Sequence, residues 1–366
     1  MIDNVKKLTV KYNGKTVGIL SEIETGQIAF QYDEKWCKNG FSVSPISLPL
    51  SREVYINRKP TFGGLYGVFN DSLPDGWGEL LVARMLSRQG LDYGKLSPLT
   101  KLSIVGENGL GGLTYEPSQA DKEQINFDLD LLAQQAAQLL DDGTVGNDFD
   151  KIYRLGGSSG GARPKAHIRD GADEWIVKFP CRIDPANIGE LEYKANMLAK
   201  KCGIDVNEYK LFPSQICSGY FGAKRFDRVD GRRVHMVSLS SILETTHRIA
   251  NLDYMHLFQV ISVVCKDMDD MNEAYRRMCF NVLCGNRDDH GKNFAFIYDE
   301  KLQGYRLSPA YDITKTPSKP EHEMTVLGNA KPTEKDLLAI AKEVDIAANT
   351  ANLILDNILL ICTNRN

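Results

Sequence analysis

Over the first hundred residues apolar and polar positions alternate at short range. Leu8, Val10 and Tyr12 fall on one side of an extended segment, Asn13-Gly14 interrupts, and Val17 and Ile19 resume the alternation. A period of two predicts strands, and Asn-Gly favours the positive φ angles of a tight turn, so this segment reads as a hairpin. Gln27–Tyr32 reads as another strand. Ser44-Pro45-Ile46-Ser47-Leu48-Pro49-Leu50 is extended, because each Pro biases its predecessor away from helix. Asp71-Ser72-Leu73-Pro74-Asp75-Gly76 is a turn, and a helix with Leu80, Leu81, Ala83, Arg84 and Leu86 follows. Residues 1–115 therefore form a small α/β subdomain whose side-chain chemistry does not itself suggest catalysis.

A polar run from Glu116 to Lys122 breaks the pattern and predicts a linker over residues 116–125. The period then turns helical: Leu132, Ala136 and Leu139/Leu140 line a helix over Leu129–Leu140, closed by Asp141-Asp142-Gly143. Glu174–Pro180 reads as a strand with Trp175, Val177 and Phe179 on one face and Ile176 and Lys178 on the other. Leu191, Ala195, Leu198 and Cys202 mark a helix over Ile188–Lys201 that Gly203 ends. Met271, Ala274, Tyr275, Met278 and Val282 mark another, stopped by Gly285-Asn286. The expected fold class is α+β. The subdomain of residues 1–115 is followed by residues 126–240, mixed in character, and by residues 241–366, a largely helical lobe.

Composition narrows the class. At 366 residues the chain exceeds one ordinary core, and 42% hydrophobic with 25% charged residues is the balance of a soluble globular protein. A net charge of −4 offers no general electrostatic reason to bind nucleic acid. The N-terminus lacks a signal-peptide core and no apolar run approaches the ~20 residues of a membrane span, so a cytoplasmic protein without membrane attachment is expected. Eight scattered cysteines without a Cys-x-x-Cys pair read as reduced thiols, neither a disulfide frame nor a zinc site.

The chemistry concentrates in two places. Asn286-Arg287-Asp288-Asp289-His290-Gly291-Lys292-Asn293 holds an Asp and an Asn at the Asp-x-x-x-x-Asn spacing of a protein-kinase catalytic loop, and Asp312 stands downstream where a second metal-binding acid is expected. Phosphoryl transfer needs a carboxylate to accept a hydroxyl proton and an Asn/Asp pair to hold Mg²⁺ against nucleotide phosphates. A solvated turn after a helix would carry the same residues. Upstream, the loop Arg154–Lys165, with four Gly and two Ser in Gly156-Gly157-Ser158-Ser159-Gly160-Gly161, can bring backbone N–H groups to phosphate oxygens, although it fits no strict phosphate-loop pattern and a flexible surface loop remains the alternative. Lys165 either meets a phosphate or merely solubilises that turn. Lys178 stands where a kinase strand lysine contacts the α/β-phosphates, though most strand lysines are simply solvated. Glu192, with Glu190 as rival, is the candidate helical partner for Lys178, and His290 is read as orienting its loop by hydrogen bonding.

With these residues in view the chain resembles the HipA family, serine/threonine kinase toxins of bacterial toxin–antitoxin modules. The resemblance runs through Tyr12–Gly18, Ile46–Leu50, Phe62-Gly63-Gly64 and Asp71–Asp75, then Gly161–Lys165, Val177–Pro180, Arg225-Phe226-Asp227-Arg228, Gly285–Phe294 and Pro309–Asp312. It implies a protein-kinase-like fold, ATP and Mg²⁺ as cofactors, Asp288 as the catalytic base, and Asn293 and Asp312 as metal ligands. It further implies Lys178 and the loop Gly157, Ser158, Ser159, Gly160 and Gly161, with Lys165, as the ATP site. Ser158 aligns with the family's autophosphorylated serine; a phosphate there adds about −2 charge where the phosphates of ATP must sit, so self-inhibition follows. The chain departs from the family at Arg163, where Gln is usual, and at His235-Met236-Val237-Ser238, where His-Gln-Glu-Asp is common, so no adenine contact carries over.

The resemblance implies a helix-turn-helix antitoxin as partner, with DNA reached only through it, and a translation protein such as an aminoacyl-tRNA synthetase as substrate. Two other classes compete: a catalytically silent corepressor that only binds the antitoxin, and a small-molecule phosphotransferase.

Overall fold

The computed structural model describes residues 2–120, 127–142 and 149–363. The chain divides into two compact units, Met1–Glu190 with Lys210–Val237 and Ser241–Glu244, and Leu191–Tyr209 with Ser238–Ser240 and Thr245–Asn366. Residues 1–115 and most of 126–240 thus lie in the first unit. Gly143, expected to cap a helix, and the linker residues Asp121 and Lys122 lie outside the described residues.

The first unit opens with an antiparallel sheet of β1 (Lys7–Tyr12), β2 (Lys15–Glu22), β3 (Ile28–Tyr32), β4 (Val54–Ile56) and β5 (Leu113–Glu116), in the order β4-β3-β2-β1-β5. The expected Asn-Gly turn joins β1 to β2, with φ of 45° at Asn13 and 80° at Gly14. One strand position differs from the alternation. A bulge between Val10 and Lys11 shifts the register, so Leu20 enters the core and Ile19 is exposed.

Helix α1 (Gly76–Arg88) follows the predicted turn, and α2 (Pro98–Val105) starts at Ser97, whose side chain accepts from the Thr100 N–H, with Pro98 in the first turn. Helices α3 (Leu129–Asp142) and α4 (Phe149–Gly156) precede a second sheet of β6 (Lys165–Asp170), β7 (Asp173–Lys178), β8 (Tyr209–Phe212) and β9 (Tyr220–Lys224), ordered β6-β7-β9-β8. Trp77 and Leu81 of α1, Leu132, Ala136 and Leu139 of α3, Phe149 and Ile152 of α4, and Trp175 and Val177 of β7 share one core. The N-terminal subdomain therefore packs directly against the strand that carries Lys178. A polar joint reinforces this contact. Buried Asp227 accepts from Arg225 Nε and Nη2 at 2.9 and 2.7 Å, from Arg228 Nη1 at 2.9 Å and from the Gly111 N–H at 2.7 Å.

Helix α5 (Ile188–Lys201) leads into the second unit, which contains α6 (Tyr254–Val264), α7 (Asp269–Cys284), the hairpin β10 (Ala295–Asp299) and β11 (Gly304–Leu307), α8 (Glu334–Glu343) and α9 (Ala348–Thr363). Helix α7 packs against α6, α8 and α9, burying Met271, Ala274, Tyr275 and Met278 as its periodicity predicts, and Gly285 ends it in the left-handed region at φ 75°. The expectation of uniformly reduced cysteines is corrected here. Cys284 and Cys362 form a disulfide, their Cα atoms 6.5 Å apart, and Cys37, Cys181, Cys202, Cys217, Cys265 and Cys279 take part in no disulfide. The packing of α9 on α7 joins two positions 78 apart in sequence, which spacing alone does not reveal. Among the described residues no helix is long and apolar enough to cross a membrane.

Candidate active site

In the second unit the loop after α7 carries two adjacent carboxylates with opposite fates. Asp289 is 1% exposed. Its Oδ2 accepts from Tyr254 OH at 2.8 Å and lies 2.8 Å from His322 Nδ1, while Oδ1 accepts from the Glu323 N–H at 2.9 Å. A buried carboxylate persists only when so partnered, and this one anchors the loop. The Asp288 side chain is 31% exposed and its Oδ1 accepts from Lys319 Nζ at 2.5 Å. Spacing favoured Asp288 as the reactive acid, and Asp288 is the one with access to solvent.

Asn293 Nδ2 donates to the Asp288 carbonyl at 2.7 Å, which commits the amide nitrogen and leaves the oxygen, the atom a hard cation takes. Tyr311 OH donates to the Lys292 carbonyl at 2.5 Å, so the residues preceding Asn293 and Asp312 are bonded to each other. Asp312 itself adopts φ 57°, a region few non-glycine residues enter and one that Asp tolerates better than most. No group of three or more His, Cys, Asp or Glu gathers as a metal cage among the described residues. Mg²⁺ needs none: one or two protein oxygens suffice when nucleotide phosphates and water complete the octahedron, and the amide of Asn293 and carboxylate of Asp312 are of that kind.

His290 bonds within its loop through the backbone. Its carbonyl accepts from the Asn293 N–H at 2.9 Å, whereas its ring lies 5.3 Å from that of His247 and its buried Nδ1 has no partner. A cavity of about 20 Å³ behind the loop, lined by Asn281, Asn286, Asp289, Asn293 and Tyr311, has room for one water and not for a nucleotide.

The apolar stripe of helix α5 is buried at Leu198 and Cys202, as predicted, but departs from prediction nearer its start. Leu191, placed on the core stripe by periodicity, is 43% exposed, while Glu192 and Asn196 are each 4% exposed. Asn196 Nδ2 donates to the Glu192 carbonyl at 2.9 Å and approaches the Ile313 carbonyl at 3.4 Å. Burying a glutamate while a leucine is exposed costs stability, and Glu192 is the buried carboxylate of this helix while Glu190 is half-exposed.

In the first unit the Gly-rich segment runs from the end of α4 to β6. Lys165 does more than solubilise the turn: it is 9% exposed, and its Nζ donates to the Gly160 carbonyl. Lys165 and Lys178 are directly paired across β6 and β7. Like charges opposite one another on a sheet repel, and an anion between them relieves the repulsion. Lys178 Nζ also lies 5.8 Å from the centre of the Phe221 ring. Arg163, the departure from the family's Gln, pairs with Asp184 at 2.9 Å.

The turn before α1 supports the loop, a role the sequence did not suggest. Asp75 stands at the N-cap of α1 without capping it, and its Oδ1 accepts instead from the Gly161 N–H. Trp77 N–H donates to the Gly161 carbonyl at 2.9 Å, and Trp77 Nε1 to the Lys165 carbonyl at 3.0 Å. Ser159 is fully buried with its hydroxyl on the Gly156 carbonyl at 2.5 Å, whereas Ser158 is half-buried, its Oγ 3.3 Å from His167 Nδ1. The Asp-Gly-Trp-Gly run before a helix was the available signal for this clasp.

Family models match the chain twice, as a HipA N-terminal domain over residues 8–116 and a HipA-like C-terminal domain over residues 157–364. The chain belongs to the HipA family. Two curated relatives come from Sinorhizobium fredii (strain NBRC 101917 / NGR234). "Putative kinase Y4dM" is 26% identical over 99% of this chain and 89% of its own length, and "Putative kinase Y4mE" is 27% identical over 87% and 79%. Among solved structures, HipA of Shewanella oneidensis MR-1, in a complex with HipB and its operator DNA, superposes with a TM-score of 0.72 over 96% of this chain and 88% of that one. At 19% identity this likeness is one of fold. The HipA-family resemblance read from the motifs is thereby borne out, as is the α+β fold class.

Proposed function

We propose that this HipA-family chain is an ATP- and Mg²⁺-dependent serine/threonine protein kinase, the toxin of a toxin–antitoxin module acting in the cytoplasm. The observation that carries the reading is the division of labour between Asp288 and Asp289: the first is solvent-accessible at the base position, the second is buried as its anchor. Asp288 takes the proton of the acceptor hydroxyl as that oxygen attacks the γ-phosphorus. Asn293 and Asp312 would hold Mg²⁺, which would offset the negative charge of the nucleotide phosphates. Lys178 and Lys165 meet the phosphates beneath the loop of Gly157, Ser158, Ser159, Gly160 and Gly161.

Ser158 is the autophosphorylation site on this reading, because the Ser159 hydroxyl is buried and committed. A helix-turn-helix antitoxin like HipB is the partner and makes the DNA contacts. The substrate is a translation protein such as an aminoacyl-tRNA synthetase.

Incubation of the full chain with γ-labelled ATP, Mg²⁺ and a bacterial lysate, followed by phosphosite mapping, tests the proposal. Label on Ser158 and on a lysate protein is expected, with at least a ~10³-fold loss in Asp288→Asn. Label appearing in Asp288→Asn as fast as in the parent would refute the assignment of the base. Label on a metabolite and none on protein would point to a small-molecule phosphotransferase, and Mg²⁺-ATP binding without transfer to a silent corepressor.

A further inference from the structure

We propose that Lys319 is the cation of the transfer centre, holding the Asp288 carboxylate towards the acceptor hydroxyl and meeting the oxygens of the phosphoryl group in flight. The inference rests on the kinase reading above. Lys319 Nζ donates to Asp288 Oδ1 at 2.5 Å and to Glu323 Oε1 at 2.6 Å. An ammonium has three N–H donors, so one is left for a further acceptor beside the reacting carboxylate.

The backbone that carries Lys319 is fastened to the loop it serves. Arg287 Nη1 donates to the Lys319 carbonyl at 2.6 Å, and the Arg287 N–H donates to Thr316 Oγ1 at 2.7 Å. The Thr316 N–H donates to the Gly285 carbonyl at 3.1 Å, and the Glu323 N–H to Asp289 Oδ1 at 2.9 Å. Residues 285–289 and 316–323 thus form a ladder, with Lys319 as the rung that reaches the reactive carboxylate. A half-exposed lysine ordinarily swings into water, where an ion pair gains little against side-chain entropy. Here two carboxylates and a fixed backbone hold it.

Charge explains what the ladder is for. A catalytic carboxylate next to an anionic phosphoryl group repels it, and a cation between them removes that penalty where it matters most, in the transition state. The loop's own imidazole, His290, lies with its ring against His247. The cation beside Asp288 comes instead from another segment, as Lys319. Although burial pulls its pKa down, Asp288 and Glu323 more than offset this and raise it above the usual lysine value, so it stays protonated throughout. In the step, Asp288 takes the hydroxyl proton, the acceptor oxygen bonds to the γ-phosphorus of the nucleoside triphosphate, and the γ-phosphorus–bridging oxygen bond breaks. The diphosphate leaves with that electron pair.

The test compares the full-length parent, K319M, K319R and D288N for phosphate release from Mg²⁺-ATP and for label transfer to lysate protein, with thermal melting of each. K319M should lose roughly 10²-fold in kcat with KM for Mg²⁺-ATP within about twofold, as removal of one transition-state donor does. K319R should recover about tenfold of that loss. Parental kcat in K319M, a loss confined to KM, or a folded K319R no better than K319M would overturn the proposal. A melting point lowered in K319M alone leaves K319R to decide on the same criterion. D288N as fast as the parent means that the kinase reading has failed; an inactive D288N beside a fully active K319M means that only the role of Lys319 has failed. A parent without turnover ends both.

Discussion

Two neighbouring aspartates show how much a side chain's surroundings decide. Asp289 accepts from Tyr254 and the Glu323 N–H and pairs with His322, all inside the protein. Asp289→Ala strands those groups, and each buried orphan costs about 1–3 kcal/mol, so unfolding in urea should show a loss of roughly 3 kcal/mol or more. Asp288 makes a part-exposed ion pair with Lys319, a contact of the class worth about 0–1 kcal/mol, so Asp288→Asn should unfold within about 1 kcal/mol of the parent while losing turnover. The opposite order of stabilities would exchange their assignments. The spacing to Asn293 singled out Asp288 in the sequence, but the anchoring of Asp289 was invisible there. Its partners His322 and Glu323 come from a later segment, and two adjacent carboxylates look alike until packing points them apart.

At the level of elements, legibility followed whether one face of an element meets only apolar neighbours. The strand β7 buries Trp175 and Val177 and turns Ile176 and Lys178 aside, as its alternation predicts. Helix α5 follows its apolar stripe at Leu198 and Cys202 but not at Leu191, because Glu192 and Asn196 take interior positions that Leu191 would otherwise claim. The Gly-rich loop was legible as a loop, but its clasp was not, because the residues that hold it belong to a turn far upstream. That clasp is tight. A Cβ on Gly78 would lie 2.2 Å from the Ser159 carbonyl oxygen, and one on Gly76, at φ 48°, 2.5 Å from the Gly161 carbonyl oxygen. Gly78→Ala must displace the loop or the start of α1, at about 1–3 kcal/mol. On the kinase reading it should weaken Mg²⁺-ATP binding by roughly tenfold in calorimetry and speed amide exchange in residues 157–161. Unchanged affinity with unchanged exchange would mean that the turn does not support the loop.

For the whole molecule, the histidines of the first unit tie its stability to pH. His235 is fully buried between Tyr12 and Phe41; its Nε2–H donates to the Val43 carbonyl at 2.8 Å, and its Nδ1 has no partner. Burial pushes its pKa down from 6.5 to about 4, since no acceptor waits for a second proton. The folded state therefore holds the neutral ring, and the unfolded chain binds the proton first. The stability this contributes is complete above pH 6.5 and is lost as pH falls through 4, about 3 kcal/mol in all. Burial, with Arg225 beside it, moves His167 in the same direction. Asp227 adds a second stage: burial alone would raise its pKa, but Arg225 and Arg228 hold it well below the ordinary value, so its contribution is lost only below about pH 4. Trp36, Trp77 and Trp175 are the chain's three tryptophans, and all lie buried in the first unit, so tryptophan fluorescence isolates that unit's unfolding. The denaturant midpoint read by fluorescence should fall between pH 7 and pH 4.5, and His235→Gln, which keeps an N–H donor but does not titrate, should remove its share of that fall. An equal fall in the variant would mean that other groups carry the acid sensitivity.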